Sequence, residues 1–184
     1  MTTADTLLVI DVQRGFVSGE HAVPDADRLV DEVAALIERA RTLGALIVHL
    51  RNDGPAGEPD EPGTPSWELQ LVPADGEPLI GKQSDDAFVD TDLGAVLDRR
   101  GSRRVVVCGL LSEMCVAATA RSAAALGYEV VVPHRAHGTY DVPPGPGGGP
   151  GVPAALAARA AEWSLGDDVE VVGGAADVDF VGVP

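Results

Sequence analysis

The stretch RRVVVCGLLSEMCVAATARSAAALG, residues 103–127, joins an apolar run to the start of a helix. The run around Cys108 has the continuous apolar pattern of a strand that is buried on both faces. The segment from Ser112 to Leu126 has a helical pattern, and Gly127 suits a helix C-terminus. The stretch therefore predicts a buried strand that passes through a turn into a helix.

Strand and helix patterns alternate along the rest of the chain. We predict further strands and helices, in chain order, at Thr6–Val12 (strand), Pro24–Gly44 (helix), Ala45–Arg51 (strand), Thr91–Gly101 (helix), Tyr128–Pro133 (strand), Gly151–Gly166 (helix) and Asp168–Gly174 (strand). The segments Asn52–Gly81 and Pro143–Gly151 are rich in Pro and Gly, so we expect a long excursion and a mobile loop. This alternation predicts one α/β domain over residues 1–184, a three-layer α/β/α fold with a mostly parallel central sheet.

Composition limits the partners of the chain. Its 13 Lys and Arg against 29 Asp and Glu give a formal charge of −16, which repels nucleic acid and anionic lipid and favours cationic ligands. No apolar run approaches the length of a membrane span, and no basic leader precedes the first apolar run, so we expect a cytoplasmic protein. The two cysteines are then expected to be free thiols.

The two cysteines are expected to differ in chemistry. Ligands bind beyond the carboxyl ends of parallel strands, and both Asp11 and Cys115 fall at that edge. With Ser112 as the helix N-cap, Cys115 lies in the first helical turn, where the helix dipole favours a thiolate. Cys108 lies within a strand and is expected to pack as a small hydrophobic residue. Position alone leaves catalysis and simple packing of Cys115 equally open.

Three blocks of sequence resemble the isochorismatase-like cysteine hydrolases. They are LLVIDVQRGF (7–16), GKQSDDAFVDTDL (81–93) and VVVCGLLSEMCVAATARSAAALGYEVVV (105–132), in the order and spacing of that family. The resemblance implies a catalytic triad of Asp11, Lys82 and Cys115. It also implies an oxyanion hole formed by the backbone amides of Leu111 and Cys115, next to a cis peptide between Leu110 and Leu111.

These residue types suit nucleophilic catalysis. Cys115 would attack a carbonyl carbon, and Asp11 would take the thiol proton and return it to the leaving nitrogen. Lys82 would offset the negative charge of that pair, and the two amides would stabilise the oxyanion.

Metal-binding nicotinamidases of the family carry an Asp and several His residues after the second strand, whereas here only His49 lies in that region, within the strand. We therefore expect no metal and no cofactor. His134 and His137 are three positions apart, a spacing that permits a metal or substrate contact but is more common in a plain loop.

Arg14 and Arg51 are the only candidates near the edge of the sheet for binding a dicarboxylate, which weakens an isochorismatase interpretation.

The segment GPAGEPDEPGTPSWEL (54–69) followed by GLLSEMCVAATARSA (109–123) resembles the streptothricin-hydrolase branch, whose members open the lactam amide of a cationic antibiotic. The acids of the first segment, Glu58, Asp60, Glu61 and Glu68, would suit a cationic substrate, or they form a solvated loop. We expect the substrate to contact the following four residues: Gln13, Phe16, Trp67 and Phe88.

The hypothesis is a metal-independent cysteine amidohydrolase that cleaves a non-peptide amide or lactam of a small molecule through a thioester. The alternatives are an isochorismatase-type vinyl-ether hydrolase and a catalytically silent binding protein of the same fold. The resemblance also implies a homodimer or homotetramer.

Overall fold

The computed structural model describes residues 1–182. At its centre is a seven-stranded sheet in which every strand pairing within these residues is parallel. The strands of the protein are β1 (Thr2–Ala4), β2 (Thr6–Ile10), β3 (Leu46–Asn52), β4 (Leu79–Lys82), β5 (Arg104–Leu110), β6 (Glu129–Pro133), β7 (His137–Gly138), β8 (Val169–Val172) and β9 (Val178–Phe180). The order across the sheet is β4-β3-β2-β5-β6-β8, with β7 beside the end of β5, while β1 and β9 form a separate parallel pair.

Helices cover both faces of the sheet. They are α1 (Arg14–Val17), α2 (Ala26–Leu43), α3 (Leu93–Arg100), α4 (Ala117–Ala125) and α5 (Ala154–Trp163), and one π-helical turn, Ser112–Val116, leads directly into α4. Alternate residues of β2 enter two cores: Leu7 and Val9 pack with the apolar stripe of α2, and Leu8 and Ile10 pack with α3 and α4. The predicted three-layer α/β/α architecture is confirmed. No helix within residues 1–182 has the length and apolar content needed to cross a membrane.

Four short strands, β1, β4, β7 and β9, were not expected from the sequence. β4 lies within the segment predicted to be irregular, because as an edge strand it is mostly exposed and has no apolar run. β7 has only two residues. β9 follows the strand that was predicted to be the last, and it pairs with β1 rather than with the central sheet.

Gly109 brings the two central strands into close contact at the edge where the site forms. Its φ is +116°, and a Cβ atom added there would lie 1.9 Å from the carbonyl oxygen of Ile10. A larger residue would therefore displace the end of β2 and with it Asp11, which is the next residue in the chain. Asp11 itself has a φ of +51°, a left-handed conformation that Asp tolerates better than most residues.

Candidate active site

The carboxyl ends of three strands bring Asp11, Lys82 and Cys115 together. Asp11 follows β2, Lys82 is the last residue of β4, and Cys115 lies in the π-helical turn after β5. Lys82 Nζ is 2.7 Å from Asp11 Oδ2 and 3.2 Å from Cys115 Sγ. The side chains predicted from three separate sequence blocks thus form one cluster.

Burial controls the charges of this cluster. Asp11 and Lys82 are each 2% exposed. The Lys82 ammonium also contacts the Asn52 side-chain oxygen at 3.3 Å and the Ser84 carbonyl oxygen at 3.1 Å. Although burial lowers the pKa of Lys82, the negative charge of Asp11 raises it above its ordinary value. Lys82 is therefore held as a cation chiefly by Asp11.

The carboxyl of Asp11 is placed to act as a base. Burial, opposed by the Lys82 ammonium, raises the pKa of Asp11 to about 6, so the group is ionised at neutral pH. Its Oδ2 is bound to Lys82, whereas its buried Oδ1 has no hydrogen-bond partner within residues 1–182. Oδ1 is thus available to accept a proton.

The structure corrects one expectation about Cys115. The sequence interpretation held the sulfur as a thiolate at the helix N-terminus. In the structure, burial and the nearby Asp11 carboxylate, opposed by Lys82, raise the pKa of Cys115 to about 12. The resting group is therefore a thiol beside an ionised carboxylate, and its proton must leave during the reaction.

The turn that carries Cys115 also differs from the expected helix start. Ser112 is the first residue of the π-helical turn rather than its N-cap, and its hydroxyl pairs with His137 Nδ1 at 2.8 Å instead of binding a helix amide. The π-helical turn begins after a cis peptide between Leu110 and Leu111.

The resemblance implies an oxyanion hole formed by the amide of Leu111, just before this turn, and the amide of Cys115 within it. The Met114 and Val116 amides both donate to the Leu111 carbonyl oxygen, at 3.1 and 3.2 Å. Within the described part of the chain, the Cys115 amide between them does not use that acceptor, and the Leu111 amide has no backbone acceptor. An oxyanion hole formed by the Leu111 and Cys115 amides therefore stays a prediction.

A cavity of about 220 Å³ opens above Cys115; we name it the Cys115 cavity. Its apolar wall is formed by Phe16, Leu110, Leu111 and Met114. Its charged lining consists of four carboxylates, Asp11, Glu58, Asp60 and Asp85. Among residues 1–182, no Lys, Arg or His lines it.

Comparison with known proteins identifies the family of this chain. A family model described as "Isochorismatase domain" matches residues 5–144. The chain belongs to the isochorismatase family. This membership confirms the sequence-based prediction of an isochorismatase-like hydrolase.

Two curated relatives are streptothricin hydrolases of Streptomyces noursei, 57% and 55% identical to this chain over 180 residues. The matches cover 97% of this chain but 65% and 71% of the relatives, so the chain spans about two thirds of their length. A crystal structure described as an isochorismatase from Pseudomonas putida KT2440 superposes with a TM-score of 0.87 at 29% identity. That superposition covers 95% of this chain and 90% of the other.

Of the four predicted substrate-binding residues, Phe16 alone lines the Cys115 cavity. Gln13 is fully buried, and its side-chain amide bonds to the backbone of Asn52 and Trp67, so it holds the loop in place. Trp67 donates its indole N–H to Asp53, and the Arg51 guanidinium covers its ring at 3.3 Å. Phe88 is partly buried and stacks on Tyr128 against the core. These three residues of this isochorismatase-family protein lie outside the lining of the Cys115 cavity.

Two polar residues at the site, Asn52 and Asp85, were missed by the sequence analysis. Asn52 ends β3 and donates to Asp60 Oδ2 at 2.6 Å while its oxygen contacts Lys82. Asp85 follows β4, and its Oδ1 is 3.6 Å from Cys115 Sγ. The rule that strand ends form the site would have identified Asn52, because it comes directly after the strand predicted at Ala45–Arg51.

We expect the alkylation of Cys115 by iodoacetamide to show no plateau near neutral pH. Since its pKa lies far above neutrality, the thiolate fraction and the rate should rise about tenfold per pH unit between about pH 6.5 and 9. Peptide mass spectrometry should find the label on Cys115 and not on Cys108, which is completely buried and whose pKa burial also raises. A rate that is already constant at pH 7 would mean a resting thiolate.

Proposed function

We propose that this protein is a cysteine-dependent hydrolase that cleaves a non-peptide amide or lactam C–N bond in a cationic small molecule. The observation that carries the proposal is the lining of the Cys115 cavity. Cys115, Asp11 and Leu111 meet there, and every charged lining residue within 1–182 is acidic. The reaction is proposed to use Cys115, Asp11 and Lys82 with no metal in the reaction centre.

The acylation step would start from the neutral thiol. The Cys115 proton passes to Asp11 Oδ1 as the sulfur bonds to the carbonyl carbon. The oxyanion that forms accepts hydrogen bonds from the Leu111 and Cys115 amides. The C–N bond then breaks, and the nitrogen takes the proton from Asp11. The products of this step are an amine and a thioester on Cys115.

Deacylation would run through the same groups. Asp11, ionised again, takes a proton from water as the water oxygen attacks the thioester carbon. The C–S bond breaks, and the sulfur recovers the proton from Asp11, so the acid product leaves the enzyme in its starting state. Lys82 stays positively charged throughout. It offsets the negative charge, whether that charge lies on the Cys115 sulfur or on the Asp11 carboxylate.

The cavity favours a cation over the dianion that an isochorismatase would bind. Arg51, one of the two candidates for binding a dicarboxylate, is stacked on Trp67, and neither Arg51 nor Arg14 lines the cavity. The acidic groups would instead attract a protonated amine. The vinyl-ether alternative is therefore less well supported.

Size and similarity suggest a streptothricin-like lactam. The cavity is smaller than the roughly 300–1,000 Å³ that holds a whole drug-sized ligand. It would therefore admit the reacting amide, and the rest of the substrate would lie outside, next to the acidic residues of the lining. Two relatives are named streptothricin hydrolases, and this chain spans 65% and 71% of their length. A lactam within a polycationic molecule meets both requirements.

We expect Cys115→Ala to lose at least about a thousandfold in turnover of streptothricin, because removal of a nucleophile removes the covalent route. Mass spectrometry of the ring-opened product measures the rate. Acid quenching of the wild type should trap an acyl adduct on the Cys115 peptide.

Cys108→Ala is the matched control, and it should retain activity because its sulfur is buried in the sheet. Full activity in Cys115→Ala would reject the proposal. Vinyl-ether cleavage that survives Cys115→Ala but not Asp11→Ala would support the isochorismatase alternative. Ligand binding without turnover of amides, lactams, esters or vinyl ethers would indicate a binding protein.

Glu58→Gln should raise KM for a cationic substrate by up to about fivefold, because an exposed ion pair contributes about 0.2–1 kcal/mol. Glu61→Gln removes the same charge from the same loop, but Glu61 accepts from the Gly57 amide and does not line the cavity. Steady-state kinetics at low and high salt should show that the difference in KM between the two variants becomes smaller as salt is added. Equal KM values for both variants would mean that Glu58 does not contact the substrate.

A further inference from the structure

Two histidines and a glutamate form a second cluster that the proposed reaction does not use. His134 begins a 3-10 turn after β6, His137 begins β7, and Glu162 lies near the end of α5. Glu162 Oε1 is 2.5 Å from His134 Nδ1 and 2.9 Å from His137 Nε2. The sequence interpretation favoured a plain loop for the histidine pair, whereas the structure aims both rings at one oxygen.

Burial makes this carboxylate unusual. Glu162 is 4% exposed, and a buried carboxylate requires compensating partners. Arg159 approaches only the other oxygen, with its Nη1 3.4 Å from Oε2. Oε1 is left to the two imidazoles, and one donor atom from each of the three side chains lies within 4.8 Å of the others.

We propose that His134, His137 and Glu162 bind a zinc ion. Two imidazole nitrogens and one carboxylate oxygen are a donor set that zinc accepts in four-coordinate geometry, with water in the fourth position. His137 and Glu162 are buried, whereas the His134 side chain is half-exposed, so an ion can enter from the His134 side. The buried pair and the exposed third ligand give a site that opens to solvent.

The second nitrogen of His137 fits this role. A zinc-bound imidazole carries its proton on the nitrogen away from the metal and usually donates it to a fixed acceptor. Here His137 Nδ1 is 2.8 Å from Ser112 Oγ. Without the ion, Nε2 lies 2.9 Å from Glu162 Oε1, and Nδ1 shares a hydrogen bond with the Ser112 hydroxyl. With the ion, Nε2 binds zinc and Nδ1 donates to Ser112 Oγ.

This contact links the zinc site to the turn that carries the nucleophile. Ser112 is the first residue of the π-helical turn, and Cys115 is the fourth. Bound zinc would hold His137, and through it Ser112, in one orientation. The ion would therefore stabilise the turn and take no part in bond cleavage.

The test is titration of the full chain, treated with EDTA and then dialysed, with Zn²⁺ alone. We expect one zinc ion per chain by calorimetry and a higher Tm when zinc is bound. His134→Ala removes a half-exposed ligand and should weaken binding by more than about tenfold. Co²⁺ in place of Zn²⁺ should give the visible absorption of a tetrahedral site in the wild type but not in His134→Ala.

His21→Ala is the control, because His21 is exposed and lies outside the cluster. It should bind zinc as the wild type does. No binding by the wild type, or equal binding by the wild type and His134→Ala, would overturn the zinc site. These readouts do not involve substrate, so their failure would leave the proposed hydrolase reaction intact.

Discussion

The ion pair between Lys82 and Asp11 is the contact on which the site depends. Moving either charge from water into the protein costs several kcal/mol, and only close partners offset that cost. Lys82 finds them in Asp11, Asn52, Ser84 and Cys115, which come from the ends of neighbouring strands and the turns after them. The pair therefore requires β2, β3, β4 and β5 to end at one edge in the observed register.

This arrangement also sets the order of proton transfer. The Lys82 cation and the Asp11 anion cancel, so ionising Cys115 as well would add an uncompensated charge to a buried site. The thiol consequently keeps its proton at rest and would lose it to Asp11 only as bonding to a carbonyl begins. Outside the pair, the Cys115 cavity presents further carboxylates without cations, which suits a substrate that brings its own positive charge.

Much of the fold could be predicted because long apolar runs in β2, β3 and β5 indicate buried parallel strands. The same runs placed Asp11 and Cys115 at one edge. Lys82 could be placed only by resemblance, since the four residues of β4 at the sheet edge have no apolar pattern. The thiol state of Cys115 depends on burial by loops, which a local pattern does not encode. Trp67 was wrongly expected in the cavity wall, because nothing in the sequence indicates that Arg51 covers it.

A double-mutant cycle on the buried ion pair tests this account most directly. Urea denaturation should show that Asp11→Asn and Lys82→Met each cost about 3–5 kcal/mol, because each leaves one charge buried and unpaired. The double variant should recover most of that loss. Single variants that cost under about 1 kcal/mol, or a double variant whose loss equals the sum of the two, would contradict the dependence of the site on this pair.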